Sequence, residues 1–98
     1  MAGPFFAVLV QGPSMAPTLR HGDALLVRRG SAARPGDVVV VRFRGEDGLF
    51  VKRARRPVEG GWWVEGDNEF VSDDSRRYGA AEVIGRVLLR YWPRPRLV

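Results

Sequence analysis

Apolar and β-branched residues in this chain fall in short runs separated by glycine- and proline-rich breaks, and no run keeps a helical period. Phe5–Gln11 is apolar and β-prone. Gly12-Pro13-Ser14-Met15-Ala16-Pro17 cannot be regular structure, because two prolines bracket it. Ala24–Arg29 reads as a second strand, entered through Gly22-Asp23, and Arg34-Pro35-Gly36-Asp37 as a turn. The β-branched run Val38–Phe43 reads as a central strand, followed by a hairpin loop at Gly45-Glu46-Asp47-Gly48. Leu49–Arg55 and Trp62–Glu65 flank the Gly60-Gly61 turn as a further hairpin. Gly66–Gly79 is a long polar loop, Val83–Tyr91 closes the sheet, and Pro93–Val98 is a frayed basic tail. Turn signals at this frequency, without helical periodicity, predict a compact, mainly antiparallel β domain with little helix.

The length of 98 residues suits a single domain, 1–98, with one modest core. Cysteine is absent, which removes disulfides, a thiolate nucleophile and thiolate metal sites. A single histidine, His21, does not make a zinc or copper site, so no metal and no cofactor are expected. The longest N-terminal apolar stretch, Phe5–Val10, falls far short of the ~20 residues a membrane helix needs. It also lacks the flanks of a signal peptide. The expectation is therefore a soluble, cytoplasmic monomer without a membrane anchor in this chain.

The net charge is +5, and among 16 basic residues Lys52 is the sole lysine. Arginine stays charged at any ordinary pH, whereas a desolvated lysine can lose its proton. In Leu49-Phe50-Val51-Lys52-Arg53, strand alternation puts Phe50 and Lys52 on one face. Beside Phe50 on an inward face, Lys52 has the chemistry of a general base. The plainer alternative is a strand-end lysine that snorkels to water. Ser14 sits in a kinked loop at the exit of an apolar strand, where a hydroxyl is held with little freedom, and needs such a base to act as a nucleophile. His21, among Arg20, Gly22 and Asp23, reads as a solvated-turn histidine rather than that base. The loop Gly66–Gly79 packs carboxylates, hydroxyls and guanidiniums closely enough to fix itself by Asp–Arg pairs. Calcium does not suit it: Arg76 and Arg77 repel a cation, and the carboxylates lack the alternate-position ligand pattern.

Three boxes, Ser14-Met15-Ala16-Pro17-Thr18, Val51-Lys52-Arg53, and Gly66-Asp67-Asn68 with Ser72-Asp73-Asp74-Ser75-Arg76 and Gly79, together resemble the Ser/Lys signal peptidase I family, peptidase S26. Order and spacing agree from about Gly12 to Arg90. The Arg-Pro-Gly-Asp turn, the Gly-Gly-Trp-Trp segment, the brevity and the missing anchor look most like the branch of nickel-type superoxide dismutase maturation proteases. The resemblance implies a β fold of the signal peptidase catalytic-core type. It implies Ser14 as nucleophile and Lys52 as general base, later acid for the leaving amine. Ser72 matches the serine whose hydroxyl orients the lysine amine. Asp74 with Arg76, and Asp67 with Arg53, match supporting ion pairs, and Met15 and Pro17 match residues that shape the nucleophile turn. The Ser14 N–H is the implied oxyanion donor, of a kind worth ~3–4 kcal/mol of barrier. Some relatives place a serine two residues before the nucleophile; Gly12 stands there, so the second donor is open.

The substrate implied is a precursor protein with small residues near the cut, bound as an extended segment against Phe5–Gln11. Phe5, Ala7, Leu9 and Met15 are the candidate binding residues, and in the branch named the substrate is the N-terminal propeptide of an apo nickel dismutase. Two other readings exist. Arg53, Arg55, Arg56, Arg90, Arg94 and Arg96 lie near Trp62, Trp63, Tyr91 and Trp92 in sequence, as in a domain that binds single-stranded nucleic acid. Solvated arginines around core tryptophans explain the same pattern, and no nucleic-acid partner is expected. A self-cleaving repressor shares Ser/Lys chemistry, but the short segment before Ser14 leaves little to remove.

Overall fold

The computed structural model describes residues 3–98; residues 1 and 2 of the expected single domain lie outside the described part. Seven strands form one antiparallel sheet: β1 (Phe5–Leu9), β2 (Ala24–Arg29), β3 (Val38–Phe43), β4 (Phe50–Val58), β5 (Gly61–Glu65), β6 (Ala81–Trp92) and β7 (Arg96–Leu97). A four-residue helix, α1 (Ser75–Tyr78), lies between β5 and β6. The strand order is β1-β2-β6-β3-β4-β5, with β7 also on β6. A further pairing, Trp62 opposite Ala81, brings β5 back to β6, so that β6, β3, β4 and β5 close on themselves. Among the described residues β1 pairs only with β2, and its other edge is free.

The run Val38-Val39-Val40-Val41 has no alternation because β3 is buried on both faces. Val38 and Val40 join Val10, Met15, Leu19 and Leu25 in one core; Val39, Val41 and Phe43 join Ala54, Val64 and Ala81 in the other. β1 alternates in the ordinary way. Phe6 and Val8 pack on the first core, and Phe5, Ala7 and Leu9 face out. In β4, Lys52 stands opposite Val39 and Phe50 opposite Val41, which puts both on the face of the second core.

Several elements depart from the sequence-based expectation. The polar loop Gly66–Gly79 contains α1, nucleated because the Asp74 side chain caps it by accepting the Arg76 N–H at 3.1 Å. The tail is not frayed: Arg96 and Leu97 pair with β6, and the Arg96 guanidinium donates to the Thr18 carbonyl at 2.6 Å. β4 runs on through Pro57 to Val58, past a register shift between Ala54 and Arg56, where a bulge accommodates the change of pairing.

Gly85, in the middle of β6, marks a close crossing of backbones. A Cβ there would lie 2.8 Å from the Arg28 carbonyl oxygen and against the Val27 side chain. Gly85→Ala should lower the unfolding free energy by about 1–3 kcal/mol, the usual cost of overpacking. Denaturant unfolding checks this; an unchanged midpoint contradicts the tight β2–β6 crossing.

Candidate active site

The segment after β1 turns sharply and is held at several points. Ala16 N–H donates to the Pro13 carbonyl at 3.0 Å and Leu19 N–H to the Met15 carbonyl at 2.9 Å. Met15, 1% exposed, is inserted in the first core and anchors the turn from below. From the other side the segment Gly66-Asp67-Asn68 grips it. Asn68 N–H donates to the Ser14 carbonyl at 2.9 Å, and Asn68 Nδ2 donates to the Pro13 carbonyl at 3.0 Å. The approach is so close that a Cβ at Gly66 would collide with the Ser14 carbonyl oxygen, so only glycine fits.

Asp67 ties this grip to β4. It accepts from Arg53 Nη2 at 2.6 Å, from Arg53 Nε at 3.1 Å and from Thr18 Oγ1 at 2.6 Å. Arg53 in turn donates to the Gly36 carbonyl at 2.8 Å, joining the Arg34–Asp37 turn to the network. Burial pushes the Asp67 carboxyl up, but the Arg53 and Thr18 hydrogen bonds outweigh it and hold the group below the usual carboxylate range.

Asp74 is 0% exposed and has every oxygen engaged. Oδ2 accepts from Gly66 N–H at 2.8 Å and Arg76 Nη2 at 2.7 Å, and Oδ1 from Arg76 Nε at 3.0 Å. Burial alone would raise its pKa; the Arg76 guanidinium and the two backbone N–H groups reverse the sign and keep it ionised. The neighbouring Ser75 hydroxyl accepts Val64 N–H at 2.8 Å, and Tyr78 of α1 packs on Phe43 with ring centroids 5.0 Å apart. Helix α1 is thus bolted to β5 and the second core, and it fixes where Asp73 and Asp74 stand relative to β4.

Between the Leu9–Ser14 segment and the Asp47–Lys52 segment lies a groove of about 740 Å³. Ser14 and Lys52 both line it, as do Leu9, Gly12, Val71 and Asp73. Lys52 is 2% exposed, with Nζ 6.0 Å from the Phe50 ring centroid. Burial pushes its amine down; Asp74 and Asp73 pull it back up and Arg76 pushes it down again, leaving it below the ordinary lysine value. Among the described residues neither Ser14 Oγ nor Lys52 Nζ is committed to a side-chain hydrogen bond. Both are available to a molecule in the groove.

The residues singled out in the sequence divide. Ser14, Lys52 and Leu9 line the groove. Arg53 with Asp67, and Arg76 with Asp74, form ion pairs of 2.6 and 2.7 Å beside it. Ser72 is exposed and outside the groove wall, to which its neighbours Val71 and Asp73 belong. Met15 is core rather than wall, and Phe5 and Ala7 face outward beyond it. Asn68, Gly66 and Thr18 lay inside the sequence boxes without an assigned part; a Gly-Asp-Asn triplet in a polar loop signals close backbone approach but does not say to what. Among the described residues no group of three or more His, Cys, Asp or Glu is arranged to hold a metal ion.

Residues 1–88 match the Peptidase S24-like family. Mitochondrial inner membrane protease subunit 1 of Xenopus tropicalis is 34% identical, over 88% of this chain and 68% of that protein. The mitochondrial ATP-independent inner membrane protease subunit 1a of Arabidopsis thaliana is 31% identical, over 86% of this chain and 68% of its own length. The mouse subunit 1 is 30% identical over 88% and 69%. These likenesses assign the molecule to the serine-type peptidases, on the signal-peptidase-like side. The chain belongs to the Peptidase S24-like family. Among the described residues no helix is long and apolar enough to cross a membrane.

The depressed amine of Lys52 has a thermodynamic consequence. Its folded-state pKa lies below its unfolded value, so folding releases protons in the interval between them and stability rises with pH there. Below that interval the buried charge costs most. Lys52→Met should therefore be more stable than the parent, by a margin that is widest at low pH and narrows as pH rises through the interval. Unfolding measured across pH checks this, and a constant margin contradicts a desolvated Lys52.

Proposed function

We propose that the protein is an endopeptidase with a Ser14/Lys52 dyad that removes an N-terminal propeptide or leader from a precursor protein. The observation that carries the reading is that Ser14 and Lys52 line one groove while Lys52 is 2% exposed. The precursor segment lies extended between the free edge of β1 and the Asp47–Phe50 segment, using main-chain hydrogen bonds that β1 leaves open. Small side chains near the cut let its carbonyl reach Ser14.

In this reading neutral Lys52 Nζ takes the proton as Ser14 Oγ bonds to the scissile carbonyl carbon. The oxygen, now negative, accepts the Ser14 N–H. Collapse breaks the C–N bond, and the Lys52 ammonium returns its proton to the leaving amine. Water then attacks the acyl-serine ester, its proton passing to Lys52 and on to Ser14 Oγ as that oxygen leaves. Asp67 with Arg53 and Asp74 with Arg76 hold the two sides of the site and touch no reacting atom.

The finer part of the proposal is the substrate: the propeptide of an apo nickel superoxide dismutase, removed so that the new terminus can bind nickel. The Arg34-Pro35-Gly36-Asp37 turn and the Gly60-Gly61-Trp62-Trp63 segment support it by resemblance. The reading carries a cytoplasmic location with it.

Incubation with unprocessed nickel dismutase, with new N-termini read by mass spectrometry, tests it. Cleavage at one site before the metal-binding terminus is expected. Ser14→Ala and Lys52→Arg should each lower the rate at least ~100-fold, since arginine keeps the charge but cannot serve as the base. The parent rate should climb with pH and level off below the ordinary lysine range, because only the neutral amine accepts the proton. Full activity of Lys52→Arg contradicts the dyad. A new N-terminus on the enzyme itself instead of the precursor moves the reading to self-cleavage.

A further inference from the structure

His21 is the sole histidine of the chain, and the dyad leaves it unused. His21 is exposed in the Arg20–Asp23 turn, yet its Nδ1 accepts the Gly12 N–H at 3.0 Å. In this contact Nδ1 serves as the acceptor and leaves Nε2 facing away from Gly12. Gly12 lines the groove two residues before Ser14 and has φ +79°, a left-handed conformation natural to glycine. The turn is joined to the end of β1 by backbone bonds alone at Val10: Val10 N–H to the Asp23 carbonyl at 2.9 Å, and Gly22 N–H to the Val10 carbonyl at 2.8 Å. Past Val10, among the described residues, the His21 side chain is what ties the turn to the path toward Ser14.

We propose that His21 is a positioning residue of the peptidase: its Nδ1 holds the Gly12 amide and so aims the backbone that delivers Ser14. Charged groups on and beside this turn make other contacts. Arg20 and Asp23 belong to it. Asp23 accepts Arg20 N–H at 2.9 Å and Arg90 Nη1, from β6, at 3.3 Å. Arg96 from β7 is turned to the Thr18 carbonyl, and Asp67 to the Thr18 hydroxyl and Arg53. Asp23 and Asp67 are thus each paired with an arginine.

The proposal rests on Ser14 as nucleophile, so its test has one arm that does not. In ¹⁵N-correlated spectra of the full chain, the Gly12 amide should move and lose hydrogen-exchange protection in His21→Ala, which removes its acceptor. His21→Asn, whose Oδ1 can replace the acceptor, should keep most of that protection. Against unprocessed nickel dismutase, His21→Ala should lower kcat/KM about fivefold at neutral pH, the worth of one hydrogen bond. His21→Asn should restore most of that. A Gly12 amide unmoved by His21→Ala, or His21→Ala with the parent rate, overturns the proposal. An amide that responds to His21→Ala in a chain that cleaves nothing overturns instead the proposed function.

Discussion

Taking a lysine ammonium out of water is one of the least favourable things a small domain can do, and the arrangement around Lys52 is organised by that cost. The side chain leaves β4 on the face of the second core, beside Phe50, and ends in the groove. Two carboxylates, Asp74 and Asp73, would make it an ordinary buried cation if they were free to pair with it. They are not free. Arg76 occupies Asp74, and Arg77 and the Tyr78 hydroxyl occupy Asp73. Desolvation therefore wins, and the amine is biased toward its neutral form. The loop's ion pairs thus only partly offset the negative charge that Asp74 and Asp73 present to Lys52.

The second constraint is backbone geometry. A nucleophile loop bracketed by Pro13 and Pro17 has few internal hydrogen bonds, so its position is set from outside. Gly66 lets two backbones approach, Asn68 bonds Pro13 and Ser14, and Asp67 joins Thr18 to Arg53 one residue beyond Lys52. One short triplet thereby registers the Ser14 loop against β4. Met15 fastens the loop to the core from the opposite side. The two halves of the groove are thus indexed to each other through rigid elements, as a site requiring sub-ångström placement demands.

Much of this was legible in the chain. The β strands followed from β-branched runs and glycine turns, and the short helix and β7 did not, because both depend on partners distant in sequence: Asp74 capping α1, and Arg96 reaching Thr18. The facing of Phe50 and Lys52 was readable from alternation, since β4 is regular at that point. The status of Met15 was not: a methionine after a serine in a loop gives no sign whether it faces a groove or a core. His21 reads as a surface histidine from its neighbours and is indeed exposed; only the fold brings Gly12 to it. Ser72 is exposed and outside the groove wall to which its neighbours Val71 and Asp73 belong, a matter of local loop conformation that motif spacing does not specify.

Because the chain holds a single lysine, the side-chain amine at its centre can be observed without interference. Selective ¹⁵Nζ or ¹³Cε labelling gives one lysine signal whose pH titration reports Lys52 alone. The expected midpoint lies below the ~10.4 of a solvated lysine. A midpoint at that value would mean an amine bathed in water, and the reading of the groove as a peptidase site built on a neutral lysine would be wrong.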